Sequence, residues 1–464
     1  MELDPVLLAR LQFAFTVTFH IIFPSFTIGL AAFIATLLVR WRMTGNELYH
    51  RLARFWTKIF AVSFAMGVVS GVVMSYEFGT NWSHFSIVVG NVIGPLIGYE
   101  VLTAFFLEAT FLGIMLFGWK HVPPNLHVAS AILVALGTSL SAFWILAANS
   151  WMQTPAGHEI RDGIAYPVDW LAVIFNPSFP YRFAHMFTAA YLTTSLVVLA
   201  VGARYLVAGR FSDEAKTMLR MGLGMVAILT PLQIYIGDAS GLNTEKHQPA
   251  KIAAIEAHWN SSEPAPLVLF AIPNEEEERN DYAIQIPNLG SLIITHSWTG
   301  TYPGLKDFAR EDRPPIFPVF LAFRVMVGMG ILMLILGWVG AWYWFRGQLF
   351  TTRWYLELAQ YAWPMGFIAV LAGWYTTEIG RQPWVAYGIL RTADAASPVA
   401  PSAVLTTLIL FVVVYLCVFS IGVYYINRLI NHGPEGAAAE TPEALPSRPL
   451  SAAGKAAHEA MGEQ

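Results

Sequence analysis

Two of the twelve histidines in this 464-residue chain stand inside long apolar runs: His20 near the start and His185 near the middle. Arg324 and Met326 open another apolar run, and Met329 follows three residues on. Glu100, Glu108 and Glu378 lie within or at the ends of two more. An ionisable group in such a run is expensive to keep in lipid, so each is a candidate for function. Imidazole nitrogen with thioether sulfur is one axial pair that fills both free positions of a porphyrin iron. His185 with Met326 offers that pair, and Met329, at nearly the same depth, is a rival for the sulfur. A histidine or carboxylate with no opposing ligand leaves iron open to a small molecule, and His20 and Glu378 are the candidates for that work. The plainer alternatives are a hydrogen-bonded packing role for each lone histidine and a core role for each methionine.

The elements that must position these residues are membrane helices. The composition is 56% hydrophobic and 12% charged, against about 25% charged in a soluble domain, and the mean hydropathy is +0.52. A net charge of -4 gives no reason to expect nucleic-acid binding. The single cysteine, Cys417, allows no disulfide framework and no cysteine metal site. Runs long enough to span a bilayer fall at 13–39, 59–79, 92–118, 128–149, 183–207, 219–238, 317–345, 359–379 and 403–427. The first is too long for the core of a signal peptide and lacks a cleavage site, so it reads as a retained helix. The expectation is an all-α integral membrane protein with nine spans over residues 1–432. It includes a polar extracytoplasmic insert at 239–316 and a disordered cytoplasmic tail at 433–464, rich in Ala, Pro, Glu and Gly.

Basic residues set the orientation. Arg40, Arg42, Arg51, Arg54 and Lys58 follow the first span; Arg204, Arg210, Lys216 and Arg220 follow the fifth; Arg346 and Arg353 follow the seventh. The loop after the second span, 81–90, has none. The N-terminus is therefore expected outside and the C-terminus inside. With this topology His20, His185, Met326, Glu100 and Glu378 all fall in the outer half of the bundle, beneath the insert. Glu108 lies roughly 12 Å deeper than Glu100 and is rotated by about 80° if the helix is a regular α-helix. A proton-coupled transporter would also hold intramembrane Glu and His, but with internal repeats and interrupted helices near the midplane, and no repeat is visible. A non-catalytic scaffold would not need His and Met at one depth.

Several segments, in order, resemble one family. They are Arg10-Leu11-Gln12-Phe13 with His20, Gly79-Thr80-Asn81-Trp82, Trp144-Ile145-Leu146-Ala147 with Asn149, and Trp151-Met152-Gln153. Lys251 to Glu256 (KIAAIE), Phe323-Arg324-Val325-Met326 and Gly380-Arg381-Gln382-Pro383-Trp384 complete the series. Together they resemble subunit I of the cytochrome bd-type quinol oxidases over residues 1 to about 430. The short insert is similar to that of the short quinol-loop branch, with a cyanide-insensitive form among its members.

This resemblance implies a terminal respiratory oxidase of the bacterial inner membrane that oxidises quinol at the outer face and reduces oxygen to water. His185 and Met326 would hold a low-spin heme b. His20 and Glu378 would hold a high-spin heme b and a third heme, heme d or a further heme b. Glu100 would lie beside the oxygen site, Glu108 on a cytoplasmic proton path and Trp374 among the hemes. Arg324 would steady heme charge, and Lys251 and Glu256 would contact quinol. Arg381 is read as a partner for a heme propionate, and Ser141 either as a hydroxyl on the proton path or as a packing residue. The resemblance also implies subunit II and a small single-helix subunit as partners.

Overall fold

The computed structural model describes residues 4–261 and 264–439. The helices are α1 Pro5–Thr44, α2 Glu47–Thr80, α3 Ser83–Lys120, α4 Pro124–Gln153, α5 Phe179–Val207, α6 Ser212–His247, α7 Pro249–Ile255, α8 Ile316–Phe345, α9 Pro364–Ile379 and α10 Pro401–Ala439. Among the described residues, all of these except α7 and α9 are long and apolar enough to cross a membrane, which makes eight candidate spans. Local chemistry sets their ends. The Asp4 side chain accepts from the Val6 amide at 2.9 Å, and Gly45, at φ +67°, closes α1 in the left-handed conformation that favours glycine at this position.

The expected span 359–379 is realised differently. α9 has 16 residues, about 24 Å of helix against roughly 30 Å of hydrocarbon. Pro364 cannot donate an amide to a preceding turn, so the chain breaks there. A separate helix, Arg353–Ala359, covers further depth, and its Tyr355 hydroxyl donates to the Leu336 carbonyl of α8 at 3.1 Å.

The links alternate between the two ends of the bundle. Arg51, after α1, meets Glu214, after α5, at 2.6 Å. Arg42 donates to Asn125, after α3, at 2.7 Å. Arg204 reaches Asn431 of α10, and Arg220 lies over the Phe350 ring after α8. The largest apolar core, with Leu30, Ile34, Leu38, Trp56 and Phe60, packs toward this basic end. The candidate ligands lie toward the other.

Three two-stranded antiparallel hairpins occupy the connections: β1 His158–Arg161 with β2 Ile164–Pro167, β3 Leu267–Asn274 with β4 Arg279–Ile286, and β5 Trp384–Ala386 with β6 Leu390–Arg391. The insert is shorter than expected at its start, because α6 continues as helix to His247. Its acidic run is put to use. Glu275 accepts from the Ile316 amide at 2.9 Å, capping α8, and Glu278 pairs with Arg313 at 2.6 Å and Arg310 at 3.1 Å. α10 breaks at Gly433, φ +82°, and helix resumes to Ala439. The rest of the expected tail, from 440 on, lies outside the described residues.

Candidate functional site

Glu378 forms the hub of one cluster at the end away from the basic links. One carboxylate oxygen accepts from Asn149 Nδ2 at 3.1 Å and Gln153 Nε2 at 3.3 Å, both near the end of α4. The other accepts from Arg381 Nη2. Gln153 Oε1 accepts from Lys251 Nζ at 2.6 Å, while Arg182 of α5 donates to Asn149 Oδ1 and, at 3.2 Å, to Ser150 Oγ. Two guanidinium groups and one amine thus surround one carboxylate. Lys251 is 6% and Arg381 4% exposed. Burial drives the Lys251 amine well below the usual lysine range; the Arg182 and Arg381 charges push the same way and Glu378 opposes. Burial also lowers Arg381, again against Glu378. Arg381 Nε and Nη1 are buried without a hydrogen-bond partner among the described residues. Unmet buried donors of this kind are costly, and an anionic group beside them would satisfy both.

The three other candidate ligands share one local arrangement. His20 Nδ1 lies 3.0 Å from Ser70 Oγ of α2, and a Cβ added at Gly71 would stand 3.1 Å from its ring. A Cβ at Gly237 of α6 would stand 3.3 Å from the His185 ring. One at Gly373 of α9 would stand 2.9 Å from Met326 Sδ. Each ligand therefore leans on a glycine of a neighbouring helix, in space that any side chain would fill. His185 Nδ1 is buried and without a hydrogen-bond partner among the described residues. α5 packs on α6, α6 on α8, α8 on α9 and α9 on α5. This closes a four-helix ring with His185 and Met326 on its diagonal members. Met329 instead joins the apolar core with Leu223, Leu336 and Tyr355. Among the described residues no three His, Cys, Asp or Glu side chains converge on one point. Singly placed donors suit an iron that brings four ring nitrogens of its own, and the residues present fit a heme.

Glu100 and Glu108 are closer in orientation than a regular α-helix allows. Residues Glu100–Phe105 form a π-helical turn, whose i→i+5 bonding takes more residues per turn and so offsets the expected rotation. Both carboxylates then face α4. Ser141 Oγ donates to Glu100 at 2.6 Å, and Gly137, four residues before Ser141, leaves the space that the Glu108 side chain occupies. Ser141 is therefore a hydrogen-bond donor in addition to a packing residue. Trp374 is half-buried on α9, next to Gly373.

Lys251 and Glu256 point to different partners. Lys251 joins the Glu378 cluster. Glu256, 3% exposed, pairs with Arg324 Nη2 at 2.7 Å, and Arg324 Nε donates to the Val268 carbonyl at 2.8 Å. The turn is completed by Ala257 at φ +49°, a left-handed conformation that costs a non-glycine residue roughly 1–2 kcal/mol. Replacing Ala257 with glycine is expected to raise the thermal midpoint slightly, by about 1 kcal/mol of released strain. A drop in midpoint, measured by calorimetry in detergent, would reject the strain.

Several functional candidates lie outside the sequence-based set. Arg182 stands just before the fifth apolar run, where a span-edge arginine reads as interfacial. Gln153 stands in the sequence reading only as part of the Trp151-Met152-Gln153 segment, with no role assigned to its side chain. Glu77 of α2 is 1% exposed and accepts from Thr16 at 2.8 Å; its place inside a span is the signal that could have found it. His258 and Tyr302 sit in the insert, where polar residues are ordinary.

Residues 8–434 match the profile of the family described as cytochrome bd terminal oxidase subunit I. The chain is 33% identical to the cytochrome bd-II ubiquinol oxidase subunit 1 of Escherichia coli (strain K12), covering 95% of this chain and 99% of that protein. It is 34% identical to the cytochrome bd ubiquinol oxidase subunit 1 of Bacillus subtilis (strain 168), covering 93% and 95%. Among solved structures, the bd oxidase from Geobacillus thermodenitrificans aligns with a TM-score of 0.85 at 32% identity, over 93% of this chain and 99% of that one.

Proposed function

The chain belongs to the cytochrome bd terminal oxidase subunit I family, and from that premise we propose how its own residues divide the work of a quinol oxidase. It is a quinol:oxygen oxidoreductase and a multi-pass protein of the bacterial inner membrane. Residues 1–432 cross that membrane nine times, with the N-terminus outside, the insert 239–316 over the outer surface and a cytoplasmic tail from 433. Subunit II and a small single-helix subunit complete the enzyme.

His185 and Met326 hold a low-spin heme b. His20 and Glu378 hold two high-spin hemes, one heme b and the other heme d or a further heme b. When bound, the hemes supply electron transfer and oxygen reduction. The observation that carries this reading is the repeated pairing of a ligand side chain with a facing glycine at Gly71, Gly237 and Gly373. A reduced-minus-oxidised absorption spectrum of the purified enzyme tests it. Heme bands are expected, and a colourless preparation made with ample porphyrin and partner subunits would end it.

The protein's own part is binding, orientation and proton handling. Arg381, with two buried donors unpaired among the described residues, holds a propionate by charge-assisted hydrogen bonds, and Arg324 steadies charge near Met326. Trp374, beside the Met326 contact, is an electron-transfer partner among the hemes. Glu108 receives protons from the cytoplasmic side and passes them toward Glu100, which Ser141 orients. Quinol docks under the insert, where Lys251 is a hydrogen-bond donor and Glu256 takes the proton from its hydroxyl. Glu256→Gln keeps the shape and removes the base. Quinol-driven oxygen uptake is expected to fall about 100-fold or more, with the dithionite-reduced spectrum unchanged. Normal uptake would count against the base.

A further inference from the structure

We propose that His258 and Tyr302 are the proton outlet of the quinol site, carrying the proton from Glu256 to the outer surface at Asp307. The proposal rests on the reading of Glu256 as the base. That carboxylate is 3% exposed, so a proton it accepts needs a route to water. Quinol oxidation yields two electrons and two protons, and the base must be emptied before each new proton arrives.

The route is built into the insert. Ala257 turns the chain left-handed directly after Glu256, and His258 follows. The His258 amide donates to the Ala253 carbonyl at 2.8 Å, and its carbonyl accepts from the Leu305 amide at 2.8 Å, which fixes it against the 302–308 segment. The rings of His258 and Tyr302 lie 4.4 Å apart, centre to centre. They are 8% and 2% exposed. His258 Nε2 and the Tyr302 hydroxyl are both buried with no hydrogen-bond partner among the described residues. Two orphaned polar atoms on touching rings fit a bound water that joins them.

The electrostatics agree with this direction of transfer. Tyr302 is raised by burial first and next by the Glu256 charge, with Arg324 opposing, so the phenol keeps its proton and feels the charge of both groups of the ion pair. Burial lowers the His258 imidazole, which keeps it neutral and able to accept; a hydrogen bond to the Tyr302 backbone and then the Asp307 charge draw it the other way. The groups facing His258 are thus Tyr302 and Asp307 from the 302–308 segment, with the Glu256–Arg324 pair beyond Tyr302. Asp307 is exposed, and hydrogen bonds from Ser261 and from the Gly304 amide, the latter at 2.9 Å, hold it ionised at the exit. In each transfer Tyr302 takes a proton from Glu256 as it gives its own toward His258. Glu256 returns to carboxylate, and His258 releases a proton toward Asp307 and water, so no group is consumed.

The test is quinol-driven oxygen uptake of the complete enzyme from pH 5 to 9, normalised to heme content. His258→Gln is expected to lower kcat about 100-fold, the lower end of the range for a positioned proton acceptor. It should also remove an acid limb that lies below the ordinary imidazole value of about 6.5. His258→Glu, which can still carry a proton, should recover part of the rate with a displaced limb. Tyr302→Phe keeps the ring and loses only the hydroxyl, and should lower kcat as well. Asp307→Asn, at the surface, should shift the limb without touching the core, so it reads the outlet even if His258→Gln loses its hemes. Rates within twofold of wild type and an unchanged limb in His258→Gln, Tyr302→Phe and Asp307→Asn, beside an impaired Glu256→Gln, overturn the outlet and leave the base standing. Normal turnover in Glu256→Gln removes the base itself, and the outlet with it.

Discussion

Replacing Met326 with leucine is expected to abolish the low-spin heme signal while the protein still folds, assembles and keeps its remaining bands. Leucine and methionine have nearly equal helix propensity, and their exchange in a core usually costs under about 1.5 kcal/mol. Only the sulfur donor is lost. The structure supplies an internal control. Met329, three residues on, packs with Leu223, Leu336 and Tyr355, whereas Met326 leans on Gly373. Met329→Leu should therefore leave the reduced-minus-oxidised spectrum as it is. If the two variants exchange behaviour, Met329 is the ligand; if neither changes the spectrum, the sulfur plays no part.

Glu378→Ala is expected to be worse for the protein than the loss of one ligand. Among the described residues, this carboxylate is the acid that answers Arg381 directly, and it reaches Lys251 through Gln153. Removing one member of a buried ion pair typically costs about 3–5 kcal/mol because the other charge is left stranded. The expected result is a clear fall in thermal midpoint together with the loss of one heme per chain by pigment extraction. Glu378→Gln, which keeps the hydrogen bonds to Asn149 and Lys251's relay through Gln153, should recover part of the midpoint but not the heme. Full heme content in Glu378→Ala would remove it from the ligand set, and an unchanged midpoint would show that the cations do not depend on it.

Hydropathy made most of the frame legible, because a lipid-facing helix has to announce itself over about 20 residues. It also isolated His20, His185, Glu100 and Glu108, since an ionisable group stands out against such a run. The rule failed where groups lie at span edges. Arg182, just before the fifth run, reads as an interfacial arginine, yet it is drawn into the Glu378 cluster through Asn149. The π turn at Glu100–Phe105 has no local signature, and without it the two carboxylates of α3 were expected on neighbouring faces. Pro364 was visible, but the apolar run continues through it, so one span was read where the chain makes two helical pieces. The choice between Met326 and Met329 could not be made from depth. It depends on which neighbour each side chain meets, which is a property of helix packing. The use of Glu275 as a cap and of Glu278 as an ion-pair anchor has no local signal in the acidic run 275–278, because it is set by the distant Ile316, Arg310 and Arg313.

Two of those grips have a mechanical meaning. Glu275 holds the first amide of α8, and Glu256 holds Arg324, eight residues further along the same helix and two before Met326. The loop is thereby clamped at two points to the helix that carries Met326. A graft that exchanges this loop between relatives is consequently expected to disturb the seat of Met326 unless both clamps travel with it.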